Sequence, residues 1–203
     1  NWIDEKVVTA IRRFVDEGGG FIGVGEPTAY QYQGRYFQLS DVLGVDREMC
    51  FSLSTDKYNE MDAEHFILED IDGAVDFGEG TSRVYAQGKN YQILAMDGAY
   101  SQLVVNEYGK GHSVYFAGLP YSLQNCRILL RAIYYAAGME TEMKRYYVTN
   151  VETEVTVFQK TGKIAVINNS SEAQHTDVYM KGSRVYELDL EPGEMRWVDD
   201  IME

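Results

Sequence analysis

The residues best placed to do chemistry follow a short apolar run near the amino terminus. Glu26, Thr28 and Tyr30 lie in the sequence Gly-Val-Gly-Glu-Pro-Thr-Ala-Tyr, just after the apolar residues 21–24. A carboxylate accepts hydrogen bonds and hydroxyl groups both donate and accept them, so this loop can bind a polar ligand. We predict that all three side chains bind substrate, with Glu26 the leading candidate. The alternative is that Glu26 only caps local backbone while Pro27 stiffens the turn.

Other reactive side chains predict little chemistry. Three histidines without metal-ligand spacing predict no metal site, and we expect no cofactor. Asp76 and Glu79 predict a turn, with an acidic ligand pair as the alternative. Arg35 can bind phosphate or pair with a nearby carboxylate. The glycine-rich residues 18–25 lack a following Gly-Lys-Ser/Thr and open no obvious helix, which argues against nucleotide binding.

The elements that position these residues are predicted from periodicity and turn signals. A helix is expected over residues 4–17, followed by a strand at 21–24 that is buried on both faces. A polar-aromatic loop at 29–36 and a short helix at 37–43 come next. Between 46 and 80 the pattern is weak, with a strand at 51–55 and a strand or helical turn at 65–71. Beyond it the sequence predicts a long helix at 121–137 and four β-rich runs, at 83–86, 91–96, 103–108 and 113–117. The expected fold is α/β with a mixed sheet.

The last sixty residues have a different pattern. They show no helical period, and short β-rich runs alternate with turn signals, which is typical of a small all-β, sandwich-like module. We predict two domains, 1–142 and 143–203. The six expected strands are 146–149, 155–158, 164–167, 178–179, 185–188 and 195–198.

Charge and composition limit the partners. The 203 residues carry a formal net charge of −14, which argues against nucleic acid or an anionic membrane as the main partner. No apolar run approaches the ~20 residues that span a membrane. Cys50 and Cys126 make no disulfide framework and suit a reducing cytoplasm. Because the chain begins on a helix without a Met, we expect a fragment that lacks the preceding strand.

Several segments resemble a known family. Residues 14–29, 34–46, 76–80 and 115–122 are similar to the middle domain of the 1,3-β-galactosyl-N-acetylhexosamine phosphorylases, also called lacto-N-biose phosphorylases. Residues 141–203 resemble that family by position and β character only. The resemblance implies an amino-terminal (β/α) barrel elsewhere in the enzyme, a middle domain like the class I glutamine amidotransferases, and a carboxyl-terminal β domain.

The resemblance also implies a reaction. In that family, phosphate cleaves a galactosyl-β1,3-N-acetylhexosamine to α-galactose 1-phosphate and the free N-acetylhexosamine, with inversion. The family's general acid lies in the barrel, so we expect no catalytic residue in this chain, and its phosphate-binding residues are unknown. The expected partners are the barrel, the disaccharide, phosphate and further copies of the chain. A non-catalytic assembly or interaction module is the alternative.

An amidotransferase activity is not expected. Those enzymes place a nucleophilic cysteine in an elbow of the type Gly-x-Cys-x-Gly, supported by a histidine. The matching stretch is Gly23-Val-Gly-Glu-Pro27, in which the nucleophile position falls on Gly25. His65 and His112 lie beside turns without a His-x-Glu pattern.

Overall fold

The computed structural model describes residues 3–32, 35–48, 61, 64–71 and 73–199. The chain divides into two compact units, Asn1–Gly138 and Met139–Glu203. The first unit contains helices α1 (Glu5–Asp16), α2 (Ser40–Leu43) and α3 (Leu123–Ala136), and strands β1 (Gly20–Val24), β2 (Ala29–Tyr32), β3 (Arg35–Phe37), β4 (Val45–Arg47), β5 (Val84–Ala86), β6 (Tyr91–Asp97), β7 (Tyr100–Tyr108) and β8 (Gly111–Phe116).

The first unit is built on a four-stranded mixed sheet in the order β1-β8-β7-β6. Strand β1 is parallel to β8, whereas β7 is antiparallel to both β8 and β6. The other strands among the described residues of this unit form two smaller antiparallel pairs, β2 with β3 and β4 with β5. Two buried clusters form the core, one involving α1 and α2 and the other involving α3.

Strand β1 packs on both faces, as expected, but is only partly buried: Phe21 lies against one core cluster and Ile22 against the other. Among the described residues it is an edge strand, and Val24 at its end is 43% exposed. Its glycines serve close packing: a Cβ on Gly20 would lie 2.3 Å from the Ala136 carbonyl oxygen, and one on Gly19 would lie 2.3 Å from the Phe14 ring. The strand can therefore lie against both α1 and α3 only because these side chains are absent.

The region around the loop is more β-rich than expected. Within the predicted loop at 29–36, residues 29–32 form β2 and residues 35–36 belong to its antiparallel partner β3, and the helix predicted at 37–43 is confined to Ser40–Leu43. Pairing between β2 and β3 satisfies the hydrogen-bonding groups of their backbones, and the polar composition of this stretch did not indicate that pairing. Of the two alternatives at 65–71, a strand or a helical turn, the structure has the helical turn, a short 3-10 turn at Phe66–Leu68. The strand predicted at 51–55 lies outside the described residues.

The two longer helices begin at side-chain caps. Asp4 accepts a hydrogen bond from the Lys6 amide at the start of α1, and Ser122 accepts one from the Asn125 amide at the start of α3. No helix in the described part of the chain has the length and apolar character needed to cross a membrane.

A buried charged cluster lies on the inner face of α3. Arg131, 1% exposed, donates to the Phe66 carbonyl at 2.7 Å and contacts Glu69 at 3.2 Å and Asp70 at 2.7 Å. The Asp70 contact is an ion pair between Arg131 Nη2 and Asp70 Oδ1. Arg127 lies 3.3 Å from the other oxygen of Asp70. Burial raises the pKa of Asp70 more than the two guanidinium groups lower it.

The described residues of the second unit, 139–199, form the short helix α4 (Glu140–Met143) and six strands in two three-stranded sheets. The strands are β9 (Tyr146–Val148), β10 (Thr153–Phe158), β11 (Lys163–Asn168), β12 (Gln174–Met180), β13 (Ser183–Leu190) and β14 (Met195–Asp199). The sheet orders are β10-β11-β14 and β13-β12-β9, and residues of both sheets, among them Val166 and Val178, form one core. All six expected strands are present, and the all-β character of this segment is confirmed.

Candidate functional site

The loop that follows β1 is held in place from the sheet. Gly25 has φ +67°, a conformation that side chains other than glycine rarely adopt. The Tyr115 hydroxyl, on the parallel neighbour β8, donates a hydrogen bond to the Gly25 carbonyl at 2.9 Å. Burial raises the pKa of Tyr115 well above its usual range, so the hydroxyl stays protonated as a donor. The loop therefore leaves the sheet in one fixed direction.

Glu26 forms a small polar cluster with two residues that sequence reasoning missed. Arg47 Nη1 donates to Glu26 Oε1 and lies 3.1 Å from the Tyr36 hydroxyl, which lies 3.3 Å from the same carboxylate oxygen. The Arg47 guanidinium also lies over the Tyr36 ring, 5.0 Å from its centroid, and its Nε donates to the Ser82 carbonyl. The side chains of Glu26 and Arg47 are 33% and 25% exposed, so the cluster faces solvent with its charges paired.

Asp46 positions the two partners of Glu26. It is 3% exposed, and its Oδ1 accepts hydrogen bonds from the backbone amides of Tyr36, Phe37 and Arg47, each at 2.9 Å. One buried carboxylate thus fixes the start of β3 against the end of β4. No sequence spacing relates Asp46 or Arg47 to Glu26, because the three residues meet only when the hairpin folds back on the β1 loop.

The other two residues of the predicted site occupy different surroundings. Thr28 is 2% exposed; its hydroxyl accepts from the Leu39 amide at 3.4 Å and its carbonyl accepts from the Gln38 amide at 3.0 Å. Its observed contacts therefore hold the loop to the connection between β3 and α2. Tyr30 lies in β2, and its side chain, like that of Arg35, is outside the described part of the structure.

The acidic stretch 76–79 lies beyond the carboxyl end of β8, where a Cβ on Gly118 would lie 2.2 Å from the Phe77 carbonyl oxygen. Asp76 Oδ1 accepts from the Gly78 amide at 2.7 Å, and the Asp76 carbonyl accepts from Asn125 Nδ2 at 2.9 Å. These contacts are those of a turn, as predicted from the sequence. Within the described residues, no three His, Cys, Asp or Glu side chains lie close enough to hold a metal ion.

The elbow position lacks the groups of an amidotransferase. Gly25 has the positive φ that such an elbow requires, but it has no side chain, and a hairpin follows it instead of a helix. Cys126 is exposed on α3, and Cys50 lies outside the described residues. His65 and His112 both pack against the Tyr135 ring, with centroids 4.8 and 4.9 Å away. The described residues therefore provide no cysteine–histidine pair at the loop.

The cluster has a limited chemical repertoire. A carboxylate held by a guanidinium and a phenol hydroxyl still has lone pairs that can accept further hydrogen bonds. Glu26 is therefore suited to orienting a ligand hydroxyl, and Arg47 and Tyr36 to holding Glu26. The described part of this site can bind a polar ligand, and it contains no evident acid or nucleophile for cleaving one.

Comparison with known proteins places the chain among carbohydrate enzymes. Residues 1–141 match the lacto-N-biose phosphorylase central domain, and residues 146–198 match the C-terminal domain of the same family. A 1,3-β-galactosyl-N-acetylhexosamine phosphorylase of Lachnoclostridium phytofermentans is 48% identical over 97% of this chain, and one of Bifidobacterium longum is 36% identical over 97%. The matched regions are 27% and 30% of the lengths of those relatives.

Solved structures give a weaker similarity. The GH42 β-galactosidase Gan42B of G. stearothermophilus matches 98% of this chain and 30% of its own, with 16% identity and a TM-score of 0.47.

Proposed function

Because the chain belongs to the lacto-N-biose phosphorylase family, we propose that it works as the non-barrel portion of a galactosyl-N-acetylhexosamine phosphorylase. Two family models support this proposal, one for the central domain and one for the C-terminal domain. The chain spans 27% of the length of its relative from L. phytofermentans, so the activity belongs to the longer enzyme.

The proposed reaction divides labour between two parts of the enzyme. Phosphate attacks the galactosyl carbon of a galactosyl-β1,3-N-acetylhexosamine from one face, and a general acid protonates the departing glycosidic oxygen on the other. The products are α-galactose 1-phosphate and the N-acetylhexosamine. We assign the acid to a (β/α) barrel outside these residues, because the carboxylate at the β1 loop is paired with a guanidinium. This chain alone is then inactive.

Within that enzyme, the β1 loop contacts the substrate. Glu26 accepts a hydrogen bond from a sugar hydroxyl, and Tyr30 contacts the same substrate. Thr28, which was also predicted to bind substrate, is 2% exposed, so we assign it the role of fixing the loop from inside. The observation that supports this role is the Glu26–Arg47–Tyr36 cluster, which holds a partly exposed carboxylate in one orientation at the carboxyl end of β1. A preoriented acceptor binds a hydroxyl without a further entropy cost for its own ordering.

The test is mutation of Glu26 in the complete phosphorylase. Glu26→Ala is expected to lower kcat/KM for phosphorolysis by more than about tenfold, equivalent to ~1.4 kcal/mol. Glu26→Gln keeps an acceptor oxygen but loses the charge, so it should fall between the wild type and Glu26→Ala. Glu17→Ala, at an exposed carboxylate paired with Arg13, is the control and should leave kcat/KM unchanged. Unchanged kinetic constants in Glu26→Ala would refute a substrate role.

A second function, assembly, is favoured by the outer face of α3. Exposed apolar side chains recur there at spacings of three and four residues, which is the pattern of a helix that packs against another helix. They are Leu123, Cys126, Leu130 and Ile133. If assembly is the main role, Leu130→Ser with Ile133→Ser will change the oligomer mass measured by light scattering, whereas Glu26→Ala will change neither the mass nor the turnover.

The proposal has three further parts: the domain limits, the fold relationship of the first domain, and the setting of the enzyme. We propose domain limits of 1–142 and 143–203, supported by the two compact units and the separate family models. We also propose that the first domain is a relative of the class I glutamine amidotransferases, supported by the positive φ of Gly25 at the elbow position. A cytoplasmic, homo-oligomeric enzyme is the setting we propose, and light scattering of the complete protein tests the oligomeric part.

A further inference from the structure

A second polar hollow lies at the other end of the sheet from the Glu26 loop. It has a volume of about 400 Å³ and is lined by Asp41, Gln87, Gly88, Lys89, Asn90, Asn106, Glu107 and Tyr108. Val24, which precedes the loop, pairs with Phe116 at one end of β8, whereas Tyr108 pairs with Gly111 at the opposite end. The hollow and the Glu26 cluster are therefore separate.

The floor of the hollow, formed by Asp41 and Asn106, is held in place by hydrogen bonds and close packing. Asn106 is 4% exposed, and its Nδ2 donates to the Val42 carbonyl at 2.8 Å. A Cβ on Gly44 would lie 2.7 Å from the Asn106 Cβ, so the two backbones are in close contact. Asp41 accepts two hydrogen bonds from the Arg12 guanidinium, at 2.9 and 3.0 Å. These groups are fixed before any ligand arrives.

The wall of the hollow includes the turn between β5 and β6, residues 87–90, and backbone hydrogen bonds hold this turn at both ends. The Gln87 amide donates to the Gly44 carbonyl at 2.8 Å, and the Glu107 amide donates to the Asn90 carbonyl at 3.2 Å. Burial raises the pKa of Tyr108, which keeps its hydroxyl protonated. The turn thus holds its side chains over a fixed floor.

The side chains on this wall have hydrogen-bonding capacity that the fold does not use. Gln87, Lys89, Asn90 and Glu107 make no side-chain hydrogen bond or ion pair with the described residues, although each lines the hollow. Two are amides that both donate and accept, one is a donor and one is an acceptor. The carboxylate of Asp41 is paired with Arg12, and the lining contains one further carboxylate, Glu107, and one ammonium group, Lys89, so no excess positive charge is present to attract an anion.

From these observations we propose that the hollow is a binding site for a neutral mono- or disaccharide, separate from the Glu26 site. A sugar hydroxyl both donates and accepts, which matches the mixed set of amides, carboxylates and ammonium group. The volume lies within the range of small-ligand pockets, roughly 300 to 1,000 Å³. This site does not depend on the proposed phosphorylase function, since it needs neither phosphate nor the β1 loop.

The experiment is a titration of the ¹⁵N-labelled 203-residue chain with galactose, N-acetylglucosamine and galactosyl-β1,3-N-acetylglucosamine, followed by amide chemical shifts. We expect saturable shifts at residues 87–90 and 106–108, with a dissociation constant in the millimolar range, about 1 mM to 50 mM. Asn90→Ala and Glu107→Ala, both at exposed positions, should each weaken binding about fivefold or more. Glu172→Ala, an exposed carboxylate in the second unit, should leave it unchanged.

Three results would overturn the inference. Absence of saturable shifts with all three sugars excludes a sugar site in the hollow. Shifts confined to residues 24–28 and 36 assign sugar binding to the Glu26 loop instead. Stronger binding of galactose 1-phosphate than of galactose would show an anion site. The two proposals are tested separately, because the phosphorolysis rate of Glu26→Ala reports on the Glu26 site and the sugar shifts at 87–90 report on the hollow. Loss of phosphorolysis in Glu26→Ala together with normal sugar shifts at 87–90 would support both sites.

Discussion

Replacing Arg131 by methionine should destabilise the first unit strongly. Its guanidinium, 1% exposed, pairs with Asp70, whose side chain is only 18% exposed, and the methionine keeps an unbranched apolar chain in its place. Removing one partner of a buried pair costs about 3–5 kcal/mol, because the other charge stays buried. Arg127 remains 3.3 Å from Asp70, and Glu69 is half-exposed and rehydrates, so we expect a loss near the lower end, ~3 kcal/mol.

The pH dependence separates this mechanism from lost packing. Loss of the Arg131 charge raises the pKa of Asp70 further above its already raised value. A carboxyl group with a raised folded-state pKa stabilises the fold below its unfolded-state pKa, and this stabilisation is lost as pH rises through the folded-state pKa. The loss in Arg131→Met should therefore be larger at about pH 8 than at about pH 5.

Hydrogen exchange of the α3 amides measures the free energy of opening in the unit that contains Arg131. Arg13→Met is the matched control: Arg13 is 78% exposed in its pair with Glu17, so the change should cost less than about 0.5 kcal/mol. Adding Asp70→Asn to Arg131→Met removes the buried charge and should recover about half of the loss or more. A loss below about 1 kcal/mol, or an equal loss at both pH values, would refute the reasoning.

Two further predictions concern packing and titration. Gly20→Ala should destabilise the protein by about 1–3 kcal/mol in urea unfolding, because its Cβ would meet the Ala136 carbonyl. The control is Gly73→Ala, where nothing lies within 4 Å of the added Cβ, and it should cost only the strain of the positive φ, ~1 kcal/mol. Equal losses in the two variants would contradict the packing argument. The pKa of His175 is raised chiefly by its hydrogen bond to Asp189, so NMR titration should find it above its ordinary value, and it should fall in Asp189→Asn. The stabilisation from this pair should be present below the unfolded-state pKa of the histidine and disappear as pH rises through its folded-state pKa. An unchanged titration midpoint of His175 in Asp189→Asn would show that the pair is not formed in solution.

Much of the fold was predictable because local rules decide it. Helix α3 has apolar positions at helical spacing, a serine cap at Ser122 and a glycine stop at Gly138, and it forms at nearly the expected bounds. The strands of the second unit lie between Gly, Asn and Pro turn signals, and all six are present. Where composition is ambiguous, as in residues 29–36, pairing with a neighbouring strand decided the outcome, and sequence periodicity does not report it.

The candidate site was predictable only in part. The sequence singled out Glu26 because a carboxylate follows a glycine-bounded strand, but it did not indicate the partners of that carboxylate. Arg47 is 21 positions away and Tyr36 lies on the far strand of a hairpin, so the cluster exists only after Asp46 has joined β3 to β4.

By itself, the sequence determined the family, the division into an α/β segment and an all-β segment, and the acidic net charge of −14. Those properties follow from composition, spacing and short contiguous patterns, which do not depend on long-range contacts. Only the tertiary structure decided that β1 lies at the edge of the described sheet, that Thr28 is buried while Glu26 is paired with Arg47, and that Arg131 lies inside the core of the first unit. Each of these depends on contacts between residues far apart in the chain, and the burial that sets their energies does not exist until the chain has folded.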